Sequence, residues 1–164
     1  ILEEVPTQYK LYCDMDGVLC DFDKRFKKYF GKMPPKEYEN QYGIKQFWKL
    51  IDDEIGVRFW VGMPWMPDGR ELWNFIKPFN PSLLSAPSRN NESRLGKRLW
   101  VRNHLPGTKL ILASRPNKQQ YSNKNSILID DMPRTIEEWD SGGGIGILHT
   151  SAASTIEQLK QLGL

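Results

Sequence analysis

The sequence predicts an α/β fold: a mainly parallel five-stranded sheet with helices on both faces. Two observations carry the prediction. Five short apolar runs, around Leu11, Leu83, Leu110, Leu128 and Ile147, alternate with segments whose apolar residues recur at helical spacing. Such alternation requires crossover connections, which join parallel strands and lay helices over the sheet. The second observation is where the polar signatures fall. Asp14 and Asp16, Ser85, and Asp130 with Asp131 each follow an apolar run, at the carboxyl strand ends where sheets of this kind bind ligands. At 164 residues the chain suits one domain with its own core and room for an embedded subdomain.

Tyr9 to Met15 reads as the first strand. Residues two apart on a strand share a face, so Asp14 and Asp16 converge just beyond its end; a plain Asp-Gly turn at Gly17 is the bland alternative. Asp21 caps a helix carrying Phe22, Phe26, Tyr29 and Phe30 on one side, with Lys24, Lys27 and Lys28 on a solvated side and Gly31 as its stop. No clean strand occurs from Met33 to Pro67, where Ile44, Phe47, Trp48, Ile51 and Ile55 keep helical spacing. A helix from Asp68 to Lys77 stops at Pro78, and Leu83-Leu84 form a strand running into Ser85-Ala86-Pro87.

Asn91 to His104 follows as a helix patterned on Leu95, Leu99 and Val101, with Arg94, Lys97, Arg98 and Arg102 read as its solvated face. Lys109 to Ala113 is the third strand, a polar segment carries Lys118 and Tyr121, and Ile127 to Ile129 end in Asp130-Asp131. Pro133 opens a brief helix, the glycines 142 to 144 lead into Ile145–Leu148, and Ser151 caps a last helix through Ile156, Leu159 and Leu162.

With 26% charged and 39% hydrophobic residues the composition is that of a globular chain, and no apolar run could span a bilayer. No membrane role is expected. A formal charge of +3 is too mild to argue for nucleic acid and suits a small anionic ligand. Cys13 and Cys20 have no metal spacing with the two histidines and read as reduced, buried thiols; with no secretory leader visible, the expected location is cytoplasmic.

Four aspartates at one sheet edge raise one another's pKa and call for a cation. Oxygen ligands without organised Cys or His favour a hard ion, and a phosphate ligand favours Mg2+. Asp14 is then placed to attack phosphorus while Asp16 gives a proton to the leaving alcohol and later activates water. The Ser85 hydroxyl and the Lys118 ammonium suit the remaining phosphate oxygens.

Asp14-Met15-Asp16-Gly17-Val18, Ser85, Lys118 and Ile129-Asp130-Asp131 resemble, in order, the four motifs of the haloacid dehalogenase-like (HAD) phosphatases. The run DMDGVLCDF, Ser-Ala-Pro and Leu-Ile-Asp-Asp look most like 5′(3′)-deoxyribonucleotidases and their short phage-type relatives. The resemblance implies a Rossmann-like three-layer core (residues 1–21 and 68–164) with a small helical cap (22–67) inserted after the first strand. It also implies magnesium-dependent hydrolysis of nucleoside monophosphates, deoxyribonucleotides first among them, through an aspartyl-phosphate.

Carried over, Asp14 is nucleophile and metal ligand, and Asp16 is the acid/base whose backbone carbonyl also meets the metal. Asp130 and Asp131 are both metal candidates. Lys118, twelve residues before Asp130, fits the family's spacing better than Lys124. Ala86 stands where relatives often carry a second hydroxyl, leaving phosphate binding there to the backbone.

Thirteen of the 19 aromatic residues lie between Phe22 and Phe75. Most belong to a core, but Phe22 occupies the place of the nucleotidases' base-contacting phenylalanine, and Phe47, Trp48, Phe59 and Trp60 are further candidates for stacking on a base. Two alternatives stand beside the nucleotidase reading: the same chemistry on nucleic-acid terminal phosphates or sugar phosphates, and a nucleotide-binding module without turnover. The expected partner is a small phosphomonoester; nucleic acid enters under the alternative alone, and a homodimer is left open.

Overall fold

The central strand β1 (Lys10–Cys13) is flanked on both sides by parallel neighbours. In a computed structural model describing residues 8–164, the sheet order is β3-β2-β1-β4-β5, with β2 Ser82–Ser85, β3 Leu110–Leu112, β4 Ser126–Asp130 and β5 Ile145–Leu148. Every pairing is parallel. The predicted first strand is shortened at its carboxyl end, because Met15 leaves the ladder and its carbonyl accepts from the amides of Val18, Leu19 and Cys20. The stretch 1–7 of the predicted core lies outside the described residues.

Side-chain alternation divides the core into two layers. Leu11, Cys13, Leu83, Ile127, Ile129 and Ile147 face one side, while Leu84 and Leu128 face the other against Ile136 and Trp139 of α7 (Pro133–Ser141). Burying one such aliphatic side chain is worth ~1.5–3 kcal/mol, so a strand buried on both faces, as β4 is throughout, anchors the sheet.

Between β1 and β2 the regular elements are helical. They are α1 (Phe22–Phe30), α2 (Pro35–Tyr42), α3 (Ile44–Lys49) running into a π-helical turn (Leu50–Ile55), α4 (Val57–Val61) and α5 (Gly69–Ile76) with a 3₁₀ turn (Lys77–Phe79) at its end. Asp21 accepts from the Lys24 amide as the N-cap of α1. Arg25 turns inward and donates to the carbonyls of Arg58 and Phe59, tying α1 to α4. The chain continues through α6 (Asn91–His104) after β2, a 3₁₀ segment (Arg115–Tyr121) after β3, and α8 (Ala152–Gln161), capped by Ser151. Asp68 accepts from the Ala152 amide and so joins α5 to α8.

In α6 two residues exchange their expected places, while Val101 is buried and Arg98 and Arg102 are exposed as expected. Leu95 is 48% exposed, whereas Lys97 is 2% exposed beside the buried Ser93, Gly96, Trp100 and Val101. The small residues Ser93 and Gly96 make the inward stripe. A Cβ on Gly96 would lie 2.3 Å from the Trp60 Cβ, so only glycine lets α4 approach α6 this closely.

Candidate active site

The carboxyl ends of β1, β2 and β4 bring the sequence signatures together. Asp14 follows β1 and its amide donates to Ile129 O at 2.9 Å. Asp130 ends β4, and Ser85 ends β2 two residues past the Leu83 that pairs with Cys13. Lys118, on the 3₁₀ segment after β3, is buried between the two strands' carboxylates, with Nζ 3.1 Å from Asp14 Oδ1 and 2.9 Å from Asp130 Oδ2. Lys124 is exposed and precedes β4, at the opposite end of the sheet.

Asp14, Asp130 and Asp131 each offer a carboxylate oxygen within 4.8 Å of the others. Burial pushes the Asp14 carboxyl well above the usual carboxylate range, with Lys118 opposing and the neighbouring aspartates reinforcing the rise. Asp131, desolvated against Asp130, is pushed up to about 6. For Lys118, burial works against the charge, yet Asp14 and Asp130 outweigh it and hold the ammonium above the ordinary lysine range. The thiol of Cys13 is raised by burial and is no competing nucleophile.

Asp16 faces a second lysine. Lys97 Nζ lies 2.7 Å from Asp16 Oδ2 and 4.8 Å from the centre of the Trp60 ring. From the sequence this lysine was indistinguishable from its solvated neighbours Arg94, Arg98 and Arg102; the small residues Ser93 and Gly96 on the same stripe were the available sign. Four carboxylates against two ammonium groups leave two formal negative charges. An all-oxygen donor set with that residue of charge fits a hard divalent cation.

The hydroxyl of Ser85 is buried without a hydrogen-bond partner among the described residues, and an orphaned buried hydroxyl costs ~1–3 kcal/mol unless a ligand satisfies it. Ala86 follows, half-buried. Next in the loop, Ser88 donates from Oγ to Asp52 Oδ1 of the π-helical turn (3.2 Å) and from its amide to Ser93 Oγ (3.0 Å).

Of the aromatic candidates, Phe22 and Trp48 are half-buried, but Phe47, Phe59 and Trp60 are at most 3% exposed. Phe22 sits among Phe26, Phe47, Trp48, Phe59 and Trp60 with ring centres 5.4–6.4 Å away. Three of the five rings expected to meet a base are thus the core of the inserted helices. A segment this small has few other bulky side chains with which to bury itself. A 580 Å³ cavity lined by Lys10, Phe79, Asn80 and Leu164 opens at the amino ends of the strands, away from the carboxylates.

The same fold occurs in solved structures. A hydrolase from Streptococcus pneumoniae TIGR4 is 17% identical, with 93% of this chain and 99% of that one covered and a TM-score of 0.54. A HAD-superfamily hydrolase, subfamily IA, variant 1, from Geobacter sulfurreducens PCA is 11% identical over 97% and 100% (TM-score 0.54). A phosphonoacetaldehyde hydrolase-like protein from Oleispira antarctica is 12% identical over 85% and 71% (TM-score 0.55). No family model and no curated protein sequence matches. The chain has the HAD-like fold, a Rossmann-like α/β core; likeness at these identities speaks for the fold, while the nucleotidase resemblance rests on the motifs.

Proposed function

We propose that this protein is a magnesium-dependent phosphomonoester hydrolase acting on nucleoside monophosphates through an aspartyl-phosphate. The observation that carries the reading is the Asp14 carboxylate, held by Lys118 within a three-carboxylate cluster at the same sheet edge as the unpartnered Ser85 hydroxyl. Segment 22–67 is read as the cap over that site.

The carboxylates of Asp14, Asp130 and Asp131, with the backbone carbonyl of Asp16, would hold the cation, which supplies positive charge to a phosphate oxygen. Ser85 and Lys118 bind the other phosphate oxygens and orient phosphorus toward Asp14. Asp14 attacks, the ester P–O bond breaks, and Asp16 gives its proton to the leaving alkoxide. In the second half, water attacks phosphorus, its proton passes to Asp16, and Asp14 departs as carboxylate. A proton donor at Asp16 matters for an alcohol leaving group and would be idle against a halide, which supports phosphate esters as the substrate class.

Phe22 and Trp48 support a nucleotide, since stacking on a base is worth ~1–3 kcal/mol. The burial of Phe47, Phe59 and Trp60 favours a second reading, a smaller ester such as a sugar phosphate. Phosphate release from a panel of 5′- and 3′-mononucleotides, sugar phosphates and phosphorylated oligonucleotides, with and without Mg2+, separates the two. Metal-dependent turnover of mononucleotides is the expected result, and no turnover of any phosphomonoester refutes the enzyme reading.

A further inference from the structure

We infer that Lys97 is a positioning residue for the proton carried by Asp16, seated there by Trp60 of the inserted helices; this rests on the phosphatase reading above. Lys97 is 2% exposed and stands on α6, a core helix outside the four motif segments. Its ammonium meets Asp16 Oδ2 at 2.7 Å and the face of the Trp60 ring at 4.8 Å. Burying a lysine is costly, and an apolar side chain of similar length would fill the same space more cheaply. The charge therefore calls for a use.

The geometry supplies one. With Oδ2 occupied by Lys97, Oδ1 is the Asp16 oxygen left to hold the proton, so the carboxyl has one working orientation rather than two. The Asp16 carboxyl, which is more exposed than the lysine (29% against 2%), would otherwise rotate in solvent. Gly96 makes the arrangement possible, because any Cβ there would collide with Trp60 and lift the ring off the ammonium. The helices between β1 and β2 thus act on the acid/base group through a core lysine.

The step affected is protonation of the leaving alkoxide, whose importance depends on the leaving group: an alkyl ester needs the proton, an aryl ester with an acidic phenol much less. The test compares kcat for a 5′-mononucleotide and for 4-nitrophenyl phosphate in wild type, Lys97→Met, Asp16→Asn and the double variant, with Mg2+ present. The loss in Lys97→Met is expected to be at least about tenfold greater on the nucleotide than on the aryl ester, with the double variant no worse than Asp16→Asn. Equal losses on both substrates, or additive losses in the double variant, overturn the role. Thermal unfolding of the same four proteins gives a readout free of turnover: a coupling between the two substitutions is expected, and its absence also overturns it. A wild type inactive on both esters fails the phosphatase reading itself and takes this role with it, an outcome distinct from equal losses in an active enzyme.

Discussion

Gly17 sits under Asp131 with φ +81, and a Cβ there would lie 2.0 Å from Asp131 Oδ2. Gly17→Ala is expected to lower stability by ~1–2 kcal/mol from the left-handed backbone alone and to weaken magnesium affinity by displacing that carboxylate, both readable from thermal melts with and without Mg2+. Ser85→Ala, removing a donor to the phosphate, is expected to cut kcat about a hundredfold; a loss below threefold would take the hydroxyl out of the site. At this scale much was legible. Asp14, Asp16 and Gly17 fall within four residues just past the end of β1, so the motif could be placed at the strand end from the sequence, although the turn at Met15 and not strand alternation sets where the two carboxylates lie. Lys97 was not, because which residue of a basic helix turns inward depends on what packs against it: Gly96 of the same helix meets the bulky Trp60 of α4, a contact that spacing along α6 does not reveal.

Among the elements outside the carboxylate cluster, the π-helical turn carries a contact that depends on pH. Desolvation raises the pKa of Asp52, with the Ser88 hydrogen bond opposing and Glu92 and Asp53 reinforcing. Above the ordinary carboxylate pKa the folded state therefore binds more protons than the unfolded one, and stability falls as pH rises through that window. Asp52→Asn keeps an acceptor for Ser88 and is expected to raise Tm at neutral pH and flatten this part of the pH dependence; a lower Tm at pH 7 would contradict it. The strands and the helices of the sheet domain were readable from periodicity. The inserted segment was readable as helical but not in its detail, since its aromatics follow the same spacing whether they meet a ligand or one another. Phe22, half-buried among five rings, is the residue at which those uses can be separated. Phe22→Ala is expected to raise KM for mononucleotides several-fold more than for 4-nitrophenyl phosphate.

For the whole molecule, the site is a junction of distant chain segments: β1, β2, the 3₁₀ segment after β3, and β4 all contribute, and folding alone assembles them. The excess of negative charge that remains is what a divalent ion would relieve. Added Mg2+ is accordingly expected to stabilise the fold, by ~2.7 kcal/mol when present at a hundred times its Kd, with EDTA reversing the effect. In the proposed reaction Asp14 carries the phosphoryl group. Borohydride reduction during turnover, followed by peptide mass spectrometry, tests it most directly, because reduction of an aspartyl-phosphate leaves homoserine in place of the aspartate. Homoserine at position 14, dependent on both substrate and Mg2+, is the expected result. An unmodified Asp14, or continued turnover in Asp14→Asn, would contradict the account.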